Sequence, residues 1–303
     1  MKDAVVILNP HSGKENQDEL SSDISKSLSR VFDEVDLHVS TNADDVSNTA
    51  QRARLEGVSA VFVVGGDGTL SRAVRGLLDG TTSTEKIPTL GILPGGTGNG
   101  FARTLGIPST IPEALEQLDI TQTKPIDIIS ANKIPFIYTL SGGSLPEGIR
   151  EVPSKDKARL GFLAYVASEF QRLGNNDQHL LHITVDHKEI AECINSFVAF
   201  SSNVLVNLFT DKADAEVDDG QIHMLMLKDA SAIALASLVP DALRKSIDDN
   251  DNIVYVHGKE IQIECPDTTL RCGMDGDDGP FLPVTLTIQP SRILVFRMGI
   301  PSG

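Results

Sequence analysis

The feature that most constrains this chain is a pattern repeated in its first third: a short apolar run, a glycine-rich loop, then a helical pattern. Asn9-Pro10-His11-Ser12-Gly13 follows the run Ala4–Leu8, Gly65-Gly66-Asp67-Gly68-Thr69 follows Ala60–Val64, and Pro94-Gly95-Gly96-Thr97-Gly98-Asn99 follows Thr89–Leu93. Between the runs apolar residues recur at helical spacing: Leu20, Ile24, Leu28 and Val31, then about Ala43–Leu55, then about Leu70–Leu78. A further strand is expected over Glu34–Ser40. Parallel strands need crossovers, and crossover helices cover both faces of the sheet, so residues 1–125 are expected to form a three-layer α/β/α domain. Ligands of such a domain sit at the carboxyl ends of its strands, where all three glycine loops converge on one rim.

From about residue 126 the period changes to two, as in Leu181–Val185, Gln221–Leu227, Glu260–Glu264 and Val284–Ile288, with one helical stretch near Phe162–Leu173. Residues 126–290 are therefore read as a β-rich second domain. Val185-Asp186-His187-Lys188-Glu189 reads as a tight hairpin, and a last strand, Ile293–Phe296 within 291–303, is free to return to the first domain.

Composition narrows the function classes. The chain has 303 residues with 26 Lys+Arg against 42 Asp+Glu, a net charge of −16, which argues against a nucleic-acid binder that works by neutralising phosphates. No apolar run approaches the roughly 20 residues of a membrane span, and the start Met1-Lys2-Asp3 leads into too short an apolar run for a signal peptide. A cytoplasmic protein is expected. Cys193, Cys265 and Cys272 form no CxxC pattern and are read as reduced core thiols.

The loops suit polyphosphate. Glycine lets backbone N–H groups approach an anion closely, and a helix beginning just after the loop adds partial positive charge. No G-x-x-x-x-G-K-[ST], no G-x-G-x-x-G opening a helix after the first strand, and no H-R-D is present, so a nucleotide would be held in another way.

Asn9-Pro-x-Ser-Gly13, Gly65-Gly-Asp-Gly-Thr69 and Pro94-x-Gly-Thr97-x-Asn99-x-Phe-Ala-Arg103, in that order and spacing, resemble the diacylglycerol kinase catalytic-domain family, which includes sphingosine and ceramide kinases. The middle motif is shared with NAD kinases; the other two favour the lipid kinases. The resemblance continues at Asp218-Asp219-Gly220 and Asp275-Gly276-Asp277. It implies an NAD kinase/diacylglycerol kinase-like fold, a three-layer α/β/α nucleotide domain plus a β-sandwich second domain, with ATP and Mg²⁺ as cofactors and transfer of the γ-phosphate to a lipid hydroxyl, diacylglycerol-like or sphingoid-like. Peripheral contact with the inner face of the membrane follows from a lipid acceptor, and a homodimer is left open.

On matching positions the resemblance implies a nucleotide site at Asn9, Pro10, Ser12, Gly13, Thr41, Gly65, Gly66, Asp67, Gly68, Thr69, Leu70, Ser71, Gly96, Thr97 and Asn99. Asp67 would hold Mg²⁺ with the phosphates; a plainer reading makes it the N-cap of the helix over Leu70–Leu78. Asp277 would be the general base, standing where the family has Glu; a plainer reading makes 275–279 a solvated acidic turn. The family's Gly-Thr-x-Asn-Asp loop is also altered, since Asn99 is followed by Gly100. Asp219, with backbone oxygens of Glu216 and Gln221, matches a structural Mg²⁺ site, or else an acidic hairpin.

Other constellations carry less. His179 and His182 fall on opposite faces of a strand, and Met224 and Met226 read as core. Arg150, Lys155, Lys157 and Arg159 form a basic segment suited to anionic lipid or to a solvated loop. Two further functions share the glycine loops: a soluble-substrate kinase of the NAD kinase type, and a non-catalytic nucleotide or lipid sensor.

Overall fold

The structure, a computed structural model, describes residues 3–12, 17–82, 84–96, 99–143, 178–200, 216–229 and 249–299. The expected helix at Phe162–Leu173 and the basic segment Arg150–Arg159 lie outside the described residues, as do Gly13 and Thr97. The chain divides into two compact units, Met1–Ile126 with Ser291–Gly303, and Asp127–Pro290.

Unit 1 alternates strand and helix: β1 (Asp3–Leu8), α1 (Gln17–Leu28), β2 (Glu34–Val39), α2 (Ala43–Glu56), β3 (Ala60–Gly65), α3 (Asp67–Leu78), β4 (Thr89–Pro94), α4 (Gly100–Thr104) and α5 (Ile111–Glu116). The strands are parallel in the order β2-β1-β3-β4. Every residue of β3 is buried, as a strand covered on both faces must be, whereas the edge strand β2 has none buried. The chain moves one way from β1 to β2 and the other way from β2 to β3 and β4. Because crossovers are right-handed, α1 lies on one face and α2 with α3 on the other. The point of reversal, between β1 and β3, is where such sheets open a crevice at their carboxyl ends.

Packing within unit 1 is close. On one face Phe62 of β3 stacks on Phe296, with Phe32 edge-on to both. Between α2 and α3 a Cβ on Gly76 would lie 2.0 Å from the Ser47 carbonyl oxygen, so only glycine permits that helix contact.

Two long strands carry the chain across the unit boundary: β5 (Leu118–Ala131) and β16 (Val284–Met298). This corrects the reading of 284–288 and 293–296 as separate strands. Gln289-Pro290-Ser291 interrupts the period-two pattern, and Ser291 has φ 52, but the strand continues through it. Its first half pairs antiparallel with β13, and Val295 pairs parallel with Leu90 of β4. Arg292 anchors it in unit 1, donating to the Glu85 carbonyl (2.8 Å) and to Thr81 Oγ1 (3.0 Å).

Unit 2 adds β6 (Ile134–Phe136), β7 (Thr139–Gly143), β8 (His179–Val185), β9 (Lys188–Ile194), β10 (Ser196–Phe200), β11 (Ile222–Leu227), β12 (Ile253–Gly258), β13 (Glu260–Glu264), β14 (Arg271–Met274) and β15 (Asp277–Phe281). One sheet runs β12-β11-β10-β7-β14-β15; the other contains β16, β13, β8 and β9. Phe197, Met224, Met226 and Met274 from the first meet Leu181, Ile183, Ile261 and Leu286 from the second in one core, which makes this unit a sandwich. Asp186 and His187 take φ 45 and 71, the left-handed pair of a two-residue hairpin between β8 and β9. The expectation of core thiols fails for one of the three cysteines: Cys272 is buried, and burial pushes its thiol up to about 12, and Cys265 is half-buried, but Cys193 is exposed. Cys193 falls on the outward side of β9, whereas Cys265, just past β13, packs against the core.

Candidate functional site

In unit 1 the loops after β1, β3 and β4 are tied to one another at the crevice between β1 and β3. Asn9 makes most of the first tie: its N–H donates to the Val64 carbonyl (3.0 Å) and its Nδ2 to Thr69 Oγ1 (2.8 Å). Its Oδ1 accepts from the His11 N–H (3.0 Å), and Pro10 beside it accepts from the Gln17 amide through its carbonyl. Ser12 is buried, donates to the Val64 carbonyl (3.1 Å), and packs so tightly on Gly95 that a Cβ there would sit 2.6 Å from its own Cβ.

The second and third loops touch through backbone. A Cβ on Gly96 would lie 2.5 Å from the Gly66 Cα, and one on Gly65 would meet the Thr69 side chain at 2.6 Å. Glycine is required at both because nothing larger fits. Gly68 differs: it is exposed, and a Cβ would meet nothing within 4 Å. Its open surface is what a phosphate-approaching backbone needs. Leu70 and Ser71 are buried, so they offer a ligand backbone at most.

Asp67 is not the N-cap of its own helix; that place belongs to Gly66, which makes no side-chain cap bond. Its carboxylate reaches 33 residues along the chain instead, with Oδ2 accepting from the Gly100 N–H (2.8 Å) and Oδ1 from the Phe101 N–H (3.0 Å). These are first-turn donors of α4 that have no partner inside the helix, so Asp67 welds the second loop to the third. The position where the family carries a further Asp is thus filled here by a glycine whose N–H serves Asp67. Asn99, at φ 48, closes its own loop by accepting from the Gly96 N–H (3.0 Å) and donating to the Gly96 carbonyl (2.7 Å).

Thr41 stands at the same rim, just past β2. Asp45 receives both its N–H (2.8 Å) and its hydroxyl (3.0 Å), and also His38 Nε2 (3.0 Å). The Thr41 N–H and His38 hydrogen bonds bring the Asp45 carboxyl down to about 2. Sequence reasoning missed Asp45. The signal was there in Asn42-x-x-Asp45, an N-cap followed three residues later by an acid; Asn42 caps α2 by accepting from the Asp45 N–H.

In unit 2 the Asp275-Gly276 pair is a two-residue hairpin turn, φ 52 and 91, joining β14 to β15. Asp275 is buried and accepts from the N–H groups of Ile137 (3.0 Å), Tyr138 (2.9 Å) and Thr139 (3.1 Å). The solvated acidic turn therefore fails for Asp275, whose carboxylate holds the start of β7 in place. Asp277 opens β15, half-buried, paired across the ladder with Met274 and so on the same face as that core side chain. Asp278 turns to the other face and pairs with Arg271 (2.9 Å).

The Asp219 turn holds N–H donors. Its carboxylate accepts from the N–H groups of Glu216 (3.0 Å) and Gln221 (2.8 Å) and from His223 Nε2 (2.9 Å). Burial raises its pKa, but these hydrogen bonds outweigh burial and leave it below the usual range. His223, unnoticed in the sequence, is buried, bonds Tyr255 through Nδ1 (2.7 Å), and stacks between Phe200 and Tyr255. These bonds tie the acidic hairpin together; a hard cation there would draw on the Asp219 carboxylate and the backbone oxygens of Glu216 and Gln221. Among the described residues no cluster of three or more His, Cys, Asp or Glu is arranged to hold a metal.

Residues 3–131 match the diacylglycerol kinase catalytic domain, and residues 149–297 match the YegS C-terminal NAD kinase beta sandwich-like domain. The chain belongs to the diacylglycerol kinase catalytic-domain family. It is 35% identical over 300 residues to a Streptococcus pneumoniae protein provisionally named a lipid kinase, covering 98% of each chain. It is 30% identical to a protein named diacylglycerol kinase from Bacillus subtilis, covering 93% of this chain and 92% of the other. A crystal structure described as a diacylglycerol kinase from Bacillus anthracis superposes with a TM-score of 0.77 at 23% identity, covering 99% of this chain and 98% of that one, which fixes the fold. As a member of this kinase family the chain is a phosphotransferase with an alcohol group as acceptor.

Proposed function

We propose that this family member is an ATP- and Mg²⁺-dependent lipid kinase, passing the γ-phosphate to the hydroxyl of a diacylglycerol-like or sphingoid-like lipid at a membrane surface. The observation that carries the reading is the set of three loops cross-tied at the strand-reversal crevice of unit 1, with Gly68 open to approach. Unit 1 would bind ATP. Asn9, Pro10, Ser12, Gly13, Thr41, Gly65–Ser71, Gly96, Thr97 and Asn99 would form the nucleotide site, with backbone N–H groups facing the phosphates.

Asp67 is half-exposed and presents only oxygen, the donor a hard cation takes, so it would hold Mg²⁺ through lone pairs not used by α4. When bound, the ion supplies neutralisation of the phosphate charge. Unit 2 would bind the lipid. Asp277, on the core-facing side of β15, would accept the proton of the attacking hydroxyl, which needs approach to about 3 Å. Among the described residues no helix is long and apolar enough to cross a membrane. The enzyme would work in the cytoplasm and meet the inner face of the membrane transiently, where its lipid lies.

The test is transfer of labelled γ-phosphate from ATP with Mg²⁺ to diacylglycerol, sphingosine, ceramide or NAD. One labelled lipid product is expected, and Asp277→Asn should lower its formation by at least about a hundredfold in a folded protein. Product from NAD alone, or full activity of Asp277→Asn, would overturn the reading.

A further inference from the structure

The Thr41 hydroxyl is held in a way that fixes what it offers a ligand. A carboxylate only accepts, so in the 3.0 Å contact between Thr41 Oγ1 and Asp45 Oδ2 the hydrogen belongs to the threonine and points at Asp45. Ionisation of Asp45 is secured by the same neighbours that hold it, the Thr41 N–H and His38. Asn42 is oriented without ambiguity, because its Oδ1 accepts from the Asp45 N–H (3.0 Å). Its Nδ2 therefore donates to Thr41 Oγ1 (3.2 Å). A hydroxyl has one hydrogen and two lone pairs; the hydrogen and one lone pair are spent, and one lone pair remains. Thr41 is exposed, so a ligand can reach its hydroxyl.

We infer that Asp45 is a positioning residue that makes Thr41 a pure hydrogen-bond acceptor, so the site selects nucleosides carrying a donor there: an adenine amine or a ribose hydroxyl. This rests on the nucleotide reading of unit 1 and adds a polarity to it. A site committed to accepting rejects an analogue that has lost its donor, because the acceptor is then desolvated without a partner. Neither His38 nor Asp45 touches the ligand in this scheme; both act through Thr41.

The experiment is calorimetric binding of ATP, inosine triphosphate, 2′-deoxy-ATP and 3′-deoxy-ATP, each with Mg²⁺, to the full chain. The inosine nucleotide lacks the amine and each deoxy analogue lacks one hydroxyl, so the three separate the sources of the donor. One analogue is expected to bind roughly tenfold more weakly than ATP and the others within about twofold of it. Thr41→Val should bind ATP as weakly as the wild type binds that analogue, and should no longer tell the two apart. Asp45→Ala frees the hydroxyl to turn, so discrimination should fall towards one, while Asp45→Asn, whose carbonyl still accepts, should restore it. In turnover Asp45→Ala should raise KM for ATP and leave kcat near the wild-type value, a split that simple loss of fold would not give. Equal binding of all four nucleotides by the wild type, or undiminished discrimination in Asp45→Ala, overturns the inference alone. Absence of ATP binding by the wild type overturns the nucleotide reading beneath it.

Discussion

Two Asp-Gly motifs in this molecule look alike on paper and are used in different ways. In unit 1 Asp67 stays half-exposed and joins two loops through two N–H groups of a short helix. In unit 2 Asp275 is buried and takes three N–H groups from a segment 136 to 138 residues away. The first carboxylate keeps a solvent side on which chemistry can be done. The second has none, and its work is to hold a strand start.

Substituting the same residue at both positions sharpens that contrast. Asp275→Asn turns an amide against one of three buried donors and removes a buried charge, which should cost on the order of 2–4 kcal/mol. The measurement is chemical denaturation followed by a unit 2 probe, and an unchanged midpoint would show that the burial is not holding the turn. Asp67→Asn faces two donors at a partly wet helix start and should cost about 1–2 kcal/mol, while phosphoryl transfer falls far more than stability does. Parallel losses in the two readouts would make Asp67 a structural residue like Asp275.

Gly68→Ala probes the open side of the same loop. It should stabilise the protein by about 0.5–1 kcal/mol, since the residue is helical, exposed and free of contacts, yet weaken ATP binding by blocking the close approach. Calorimetry and a thermal melt on one preparation check both signs. The smallest effect is set by pH. The folded Asp45 pKa is depressed, so its contribution is complete above the unfolded value near 4 and is lost as pH falls towards 2. With solvent screening this is worth about 1 kcal/mol or less, and the acid limb of the stability curve should be shallower in Asp45→Asn by that amount.

Much of the fold was legible because its signals are local. Apolar runs of strand length between helical periods, glycine loops at strand ends, and dipeptides suited to left-handed φ such as Asp186-His187 and Asp275-Gly276 all act within a few residues. The site was legible in place more than in detail. Asn9, Ser12, Gly66 and Gly96 meet where strand alternation puts them, but the role of Asp67 as a weld to α4 was hidden, because a carboxylate's partner 33 residues away leaves no mark at either end. His223 was missed for a similar reason: on a strand it is one polar residue among alternating ones, and only the ladder brings Tyr255 and His257 beside it.

The sequence by itself determined the strand–helix alternation from β1 to β4, the parallel first half and the β-rich second, the three loops and the acidic charge, since each follows from period, φ preference or composition. Tertiary structure alone decided which acids turn inward, that residues 284–298 form one strand, and that the Thr41 hydroxyl hydrogen points at Asp45. The physical reason is the same in each case. A backbone preference is settled by near neighbours, whereas the partner of a carboxylate or of a strand edge is settled by whichever unsatisfied N–H groups the folded chain brings within about 3 Å.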